Sequence, residues 1–312
     1  MLHLRAVCPG AAAPDVLAVL REHAGAANLV HLPGAAVHPE GDVVEATIAR
    51  EAADEILAAL SALGVDHTGG ITLEQLDTVL SDAADTAEAE APGEAADAVV
   101  WQDLVAKTGE ESRFNATFLA FLSIACLLAA VGVITASTIT MVGAMVVGPE
   151  FGPLAGIAVG LVCKRYDLVK RAAVALAVGF PLAIAITAGG AWLGTAAGLF
   201  DASALTSSDA QFDFVYEVGP WSLIVAVLAG AAGMLSMTSA KSAALVGVFI
   251  SVTTVPAAGY AGVAAILGQW DRMGMSLAQL AVNLVGIVAA AAAVLVLRHR
   301  RAGRVGRPLA PG

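Results

Sequence analysis

The sequence predicts a polytopic α-helical membrane domain of six spans, preceded by a small α+β domain, and two observations support this fold class. Hydrophobic residues make up 58% of the 312 residues and charged residues only 14%, whereas soluble domains rarely exceed about half apolar residues. The charge is also unevenly distributed, because residues 1–113 hold 5 Lys/Arg and 20 Asp/Glu while residues 114–312 hold 11 and 7. An acidic first third followed by an apolar, mildly basic remainder indicates two domains in two solvents.

Residues 1–80 alternate between short strand-like and helix-like patterns. Period-two alternation and turn formers predict strands at residues 2–7, 28–32, 42–48 and 70–76. Apolar residues at helical spacing predict helices at residues 11–24 and 51–63. The resulting βαββαβ order is that of a ferredoxin-like sandwich. The histidines of this domain match no metal-ligand spacing, which favours ordinary surface residues at His23, His31 and His38.

Residues 81–113 join the two domains. The Ala- and acid-rich residues 81–97, which include Pro92-Gly93, predict a mobile linker. Residues 98–113 have the pattern of a short amphipathic helix around Trp101. This helix either lies at the membrane surface, with Trp101 as an interfacial anchor, or packs under the first span.

Six apolar runs are long enough to cross a bilayer, since about 20 helical residues span its ~30 Å core. Within a membrane domain at residues 114–297 they are residues 117–135, 137–163, 168–194, 220–237, 242–268 and 276–297. Lys and Arg cluster between spans two and three and in a basic tail at residues 298–312, whereas the loop after span three has four acidic residues and no Lys or Arg. The positive-inside rule therefore predicts a cytoplasmic-membrane protein with both termini in the cytoplasm, and only Arg272 opposes this orientation.

Spans two and five are both interrupted by proline and glycine. Span two contains Gly148, Pro149, Gly152 and Pro153 around Glu150, the only acidic residue between Phe114 and Tyr166. Pro153-Leu-Ala-Gly156 recurs 103 residues later as Pro256-Ala-Ala-Gly259 in span five. Three spans per half make such a repeat inverted in the membrane, and paired interrupted helices in inverted halves are typical of a transport site.

The run Val142-Gly-Ala-Met-Val-Val-Gly-Pro149, with Gly152-Pro153, resembles the first motif of a bacterial and archaeal family, the "uncharacterised hydrophobic domain" or domain of unknown function 389. The segment from Leu245 to Gly259 resembles the second motif of that family, so the resemblance covers about residues 114–297. It implies a multi-span membrane protein but no established activity, substrate or cofactor. Glu150 stands where many members have an apolar residue, and Pro256 where many have two prolines.

The residues at the two breaks allow alternative roles. Glu150 either caps the helix that follows it or carries a proton or cation. Thr253 and Thr254 either line the same cavity or bond carbonyls that Pro256 releases. Lys241 is expected at the cytoplasmic interface or, alternatively, as a partner of substrate or Glu150. Elsewhere, Gln279 and Asn283 are expected to join helices by hydrogen bonds, and glycines suggest close packing at Gly189, Gly190, Gly194 and Gly198.

The favoured function is a transporter-like or channel-like permease for a small ion or solute, with a site at the two broken helices. The alternative is a non-transporting membrane sensor or scaffold whose soluble domain binds a ligand or partner. No nucleophile–base set, metal spacing or cofactor motif is visible, and Cys8, Cys126 and Cys163 are too far apart for a CxxC site. We therefore expect no enzyme, cofactor, metal or nucleic-acid partner, but we expect a lipid bilayer around the spans and a homo-oligomer.

Overall fold

The chain divides into two compact units, one built mainly from Met1–Asp103 and the other from Leu104–Met237 and Lys241–Arg300. The structure, a computed structural model, describes residues 1–91, 98–201, 219–239 and 254–305. Lys241 and Thr253 lie outside the described residues, as do Pro92-Gly93 and most of the acidic loop after span three.

The first unit contains a small antiparallel sheet. Its strands are β1 (Leu2–Cys8), β2 (Ala26–Val37), β3 (Glu40–Ile48) and β4 (Gly70–Gln75). They lie in the order β2-β3-β1-β4, and every neighbouring pair is antiparallel. The strands therefore occur where the period-two patterns predicted them, although β2 runs five residues beyond its predicted end at Leu32.

Two helices cover the buried side of this sheet, α1 (Ala13–Glu22) and α2 (Ala53–Ala62). Their apolar faces share one core with alternate residues of β1 and β3. This core includes Leu4 and Val44 of the strands and Leu20, Ile56 and Leu60 of the helices. Gly64, in the left-handed region at φ 73°, ends α2 as predicted and leads into the short helix α3 (Val65–Thr68).

Part of the predicted mobile linker is helical. Residues Asp82–Glu90 form α4, whose first turn is capped by the Ser81 side chain accepting from the N–H of Ala84. The linker prediction is therefore wrong for this stretch. Alanine has the highest helix propensity, and Asp82 and Asp85 lie at the helix start, where the macrodipole favours negative charge.

Asp42 of β3 ties together the β2–β3 hairpin. Its carboxylate accepts from the N–H of Gly34 (2.9 Å), and it lies 2.8 Å from Nε2 of His31. The Gly34 hydrogen bond, followed by that of His31, holds the pKa of Asp42 below its ordinary value. His31, which was predicted to be an ordinary surface residue, thus has a carboxylate partner within its own hairpin.

This hairpin should lose stability in acid. A pKa lower in the folded than in the unfolded chain stabilises the fold above the unfolded value of about 3.9, and this contribution disappears as the pH falls through the folded pKa. We expect Asp42→Asn to lower the melting temperature at pH 7 and to match the wild type at a pH below the folded pKa of Asp42. The amide I infrared band of the β-sheet in the full-length protein measures this, and a pH-independent difference would contradict the linkage.

The second unit is helical. It contains the end of α5 (Trp101–Glu111), then α6 (Ala116–Ile134), α7 (Thr138–Val147), α8 (Phe151–Val162), α9 (Tyr166–Ala196), α10 (Pro220–Thr238), α11 (Thr254–Ile266) and α12 (Trp270–Val305). Among the described residues, α6, α9, α10 and α12 are each long and apolar enough to cross a membrane, and α7 with α8 makes a fifth candidate if the bent pair is one span. The apolar helices therefore suggest membrane insertion. Six spans are not established, because only the second part of predicted span five is described.

The helix bounds repeat along this unit. Helices α6 and α10 each have 19 residues, and α10 begins 104 residues after α6; α12 likewise begins 104 residues after α9. A packing contact also follows the 104-residue offset, since the Phe118 ring lies against Gly179 and Ser222 bonds Asn283. Helix starts and one contact thus repeat along this unit at an offset close to that between Pro153–Gly156 and Pro256–Gly259.

Candidate functional site: the junction of two interrupted helices

The break in span two lies between α7 and α8, which are bent by 49°. Helix α7 ends at Gly148, whose extended ψ of 126° leaves the helical path, and Pro149 follows without an N–H group. In a continuous helix, the N–H groups of the following residues would donate to the last carbonyls of α7. The break removes these donors. The predicted break is confirmed, and it leaves backbone acceptors at this point of the chain.

Glu150 begins α8 and is completely buried. Its side chain makes no capping hydrogen bond to the first turn of α8. Instead, Oε1 accepts a hydrogen bond of 2.6 Å from the hydroxyl of Thr254, and the buried Cys126 thiol of α6 lies near the same carboxylate. The side-chain capping role is therefore wrong, because the carboxylate turns away from its own helix toward α11.

Thr254 is the first described residue of α11, two residues before Pro256. Its hydroxyl donates to Glu150, so it does not serve the carbonyls that Pro256 would release. The start of α8 and the first described turn of α11 thus come together around one carboxylate. The N-terminus of α8 carries partial positive charge, which favours a negative group beside it.

Glycines of α8 and α11 allow neighbouring helices to approach closely. A Cβ on Gly259 would lie 2.8 Å from the Cys126 carbonyl oxygen and 2.7 Å from the Ala129 Cβ, so α11 packs directly on α6. A Cβ on Gly152 would lie 2.5 Å from the Glu111 Cβ, and one on Gly156 would meet Ser112. The end of α5 therefore packs against α8 of predicted span two, whereas the packing alternative for residues 98–113 placed this helix under the first span.

Glu111 is an acidic residue at the break that the sequence did not single out. The residue is exposed, but neighbouring atoms partly desolvate its carboxyl and raise its pKa, which the nearby Lys107 partly opposes. The residue lines an open crevice of about 350 Å³ together with Gly148, Pro149 and Gly152. Residues on both sides of Glu150 thus face this crevice, whereas Glu150 itself is not among its lining residues.

Comparison with known proteins agrees with the two motifs. Residues 145–289 match the family model described as Domain of unknown function (DUF389). The chain contains a DUF389 domain. No curated protein and no solved structure matches the chain. The match runs from the end of α7 into α12, so the DUF389 domain includes the break before α8 and the described part of α11, over a shorter stretch than the resemblance covered.

A second polar cluster of the DUF389 domain lies between α10 and α12. The Ser222 hydroxyl donates to Oδ1 of Asn283 (3.0 Å), and the Gln279 side-chain amide donates to Ser222. All three side chains are buried. Asn283 and Gln279 therefore join helices by hydrogen bonds as expected, and these hydrogen bonds involve neither Glu150 nor Thr254.

Arg272 opposed the predicted orientation, and the structure gives it a local role. Its guanidinium donates to the hydroxyl of Tyr260, a buried residue of α11, at 3.2 Å. One turn further along α12, the Ser276 hydroxyl donates to the Ala257 carbonyl at 2.7 Å. These bonds hold α12 against α11. The position of Arg272 against the positive-inside rule was the sequence signal that could have pointed to its contact with Tyr260.

Proposed function

We propose that the protein is a transporter-like or channel-like permease for protons or a small cation, with Glu150 as the carrying group. The single observation that supports this most is the hydrogen bond between Glu150 and Thr254, which joins the break before α8 to α11 at a buried carboxylate. Ionisable residues inside membrane helices are costly and mark ion or proton pathways. Interrupted helices in corresponding halves are a common place for such sites.

The proposal includes an architecture. The membrane domain has six spans in two inverted halves, with both termini in the cytoplasm, and copies of the chain form a homo-oligomer. The N-terminal domain is ferredoxin-like and regulates or oligomerises the permease rather than acting as an enzyme. Support comes from the β2-β3-β1-β4 sheet order and from the repeat of two helix starts after 104 residues.

The described conformation corresponds to an occluded state in this proposal. The Glu150 side chain is buried, while its chain neighbours Gly148, Pro149 and Gly152 line the crevice beside Glu111. Exchange with water then needs a movement of the segment Gly148–Gly152. Gly148 and Gly152 carry no side chain that opposes such a movement.

Reconstitution in sealed vesicles tests the proposal. Vesicles containing the full-length protein and a trapped pH indicator receive an imposed proton gradient, with Na⁺ or K⁺ gradients in parallel. We expect dissipation of at least one gradient above that of empty vesicles. Equal rates in protein-containing and empty vesicles for all three ions would reject a permease for these ions.

A second candidate is a non-transporting sensor or scaffold in which the breaks serve packing. The observation that favours it is that Glu150 is fully buried and lines neither of the two crevices near the break. This function requires that no gradient is dissipated while the soluble domain binds a ligand or partner. Flux in the vesicle experiment removes it.

A further inference from the structure

A second crevice lies at the start of α9, beside the segment that joins α5 to α6. It has a volume of about 730 Å³, and its polar lining includes Glu110, Arg113, Asn115, Asp167, Lys170 and Arg171. In the sequence, the cations Lys170 and Arg171 indicated only the orientation of the spans. Their convergence on one crevice raises the question of what they bind.

Among the described residues, two of the crevice cations, Lys170 and Arg171, have no acidic partner. Arg113 lies 3.4 Å from Glu110, and Arg165 lies 3.2 Å from Asp167, so both acidic residues of the crevice are paired. In the described parts of the chain, no ion pair involves Lys170 or Arg171. The Arg171 guanidinium lies over Gly109 of α5, with Nη2 only 3.3 Å from the position of a Cβ there. The crevice therefore presents an ammonium and a positioned guanidinium, which suit a phosphate group.

An apolar track continues from these cations along α9. Val174, Val178, Leu182 and Ile186 follow Lys170 at intervals of four residues, and all four are exposed. Neighbours in this series lie one turn apart and in contact on the helix surface, so the four residues form a continuous row that winds around α9. At 1.5 Å per residue the track from Lys170 to Ile186 is about 24 Å long, which is enough for an acyl chain in one leaflet of a ~30 Å core.

We propose that this crevice binds the headgroup of an anionic phospholipid, with an acyl chain on the α9 track. Basic pockets at the ends of membrane helices are typical sites for such headgroups. The free phosphate ion shares the headgroup chemistry but does not use the apolar track. The site is independent of transport, since neither Glu150 nor Thr254 takes part in it.

The test measures the melting temperature of the full-length protein in neutral detergent during titration with short-chain phosphatidylglycerol. Short-chain phosphatidylcholine and inorganic phosphate are titrated in parallel. We expect phosphatidylglycerol to raise the melting temperature at concentrations where the other two do not. An equal response to inorganic phosphate would overturn the lipid assignment, and an equal response to phosphatidylcholine would overturn the role of the cations.

Variants separate this site from general charge attraction. Lys170→Gln/Arg171→Gln should weaken the apparent affinity for phosphatidylglycerol by about tenfold or more, and Lys170→Gln alone should weaken it less. Arg300→Gln removes an exposed cation of α12 away from the crevice and should leave the affinity unchanged. Each affinity is derived from the shift relative to the same variant without lipid, so a change in basal stability does not enter. Wild-type affinity in the double variant would overturn the proposal.

Discussion

Glu150→Gln should reduce proton or cation flux in reconstituted vesicles to the level of empty vesicles. Glutamine has nearly the same shape and can still accept the Thr254 hydrogen bond, but it can neither release a proton nor attract a cation. Hydrogen bonds to charged groups contribute about 1.5–3 kcal/mol and neutral ones about 1 kcal/mol. We therefore expect the variant to fold with a stability loss of about 1–2 kcal/mol at most.

The matched control is Glu88→Gln. Glu88 is an exposed carboxylate of α4 that lines neither crevice. Substitutions on the surface away from special features change stability by about 0.5 kcal/mol or less, so this variant should keep both wild-type stability and wild-type flux. Full flux in Glu150→Gln, measured beside this control, would exclude the carboxylate as the carrier while leaving transport itself established.

Thr254→Val tests the other half of the junction. Valine keeps the shape of threonine but removes the hydroxyl that donates to Glu150 at 2.6 Å. Removing a hydrogen-bond donor from a buried carboxylate lowers the free energy of unfolding by about 1–3 kcal/mol. The affinity of the carboxylate for a proton should rise. We expect the pH at half-maximal flux to move upward, whereas Thr254→Ser should restore the wild-type profile. An unchanged profile in Thr254→Val would show that the bond does not tune the carrier.

The sequence predicted the break in span two because proline and glycine have local effects on the backbone. Pro149 lacks an N–H wherever it stands, and an apolar run of this length indicates a membrane helix without reference to the fold. The βαββαβ order was equally local, since it rests on period-two strands and on Gly64. Such features need only the few neighbouring residues that produce them.

The partner of Glu150 could not be predicted in the same way. Capping of α8 was the natural local role for a residue at a helix start, yet the carboxylate bonds a residue 104 positions away. That choice depends on how α11 packs against α6, which no short pattern contains. Glu111 was missed for the same reason, because its proximity to Gly152 arises only when α5 packs on α8.

Small residues gave mixed results. Gly259 is a site of close approach, whereas Gly189, which was predicted to be one, has no atom of the described residues outside its own helix backbone within 4 Å of an added Cβ. The helical neighbours of both are similar in composition, so the sequence cannot separate a glycine that faces a helix from one that faces outward. Only the packing of α11 on α6 distinguishes them.

Gly259→Leu should therefore be strongly destabilising, while Gly189→Leu should be nearly neutral or stabilising. The atoms closest to a Cβ on Gly259 are the Cys126 carbonyl oxygen at 2.8 Å and the Ala129 Cβ at 2.7 Å. Backbone and Cβ atoms cannot move without shifting α6, so the cost should reach about 3 kcal/mol or more. At Gly189 only the helix propensity changes, which favours leucine by up to about 1 kcal/mol.

Titration of the purified protein with sodium dodecyl sulfate, followed by loss of helical circular dichroism, compares the two variants. Similar unfolding midpoints would contradict the packing of α11 on α6. The same pair connects structure to function, because Gly259 lies less than two turns after Thr254 in α11. A displaced α11 moves the Thr254 hydroxyl away from Glu150, so Gly259→Leu should lose flux and stability together. Glu150→Gln should lose flux with little loss of stability, and this contrast separates the carrier from the packing that positions it.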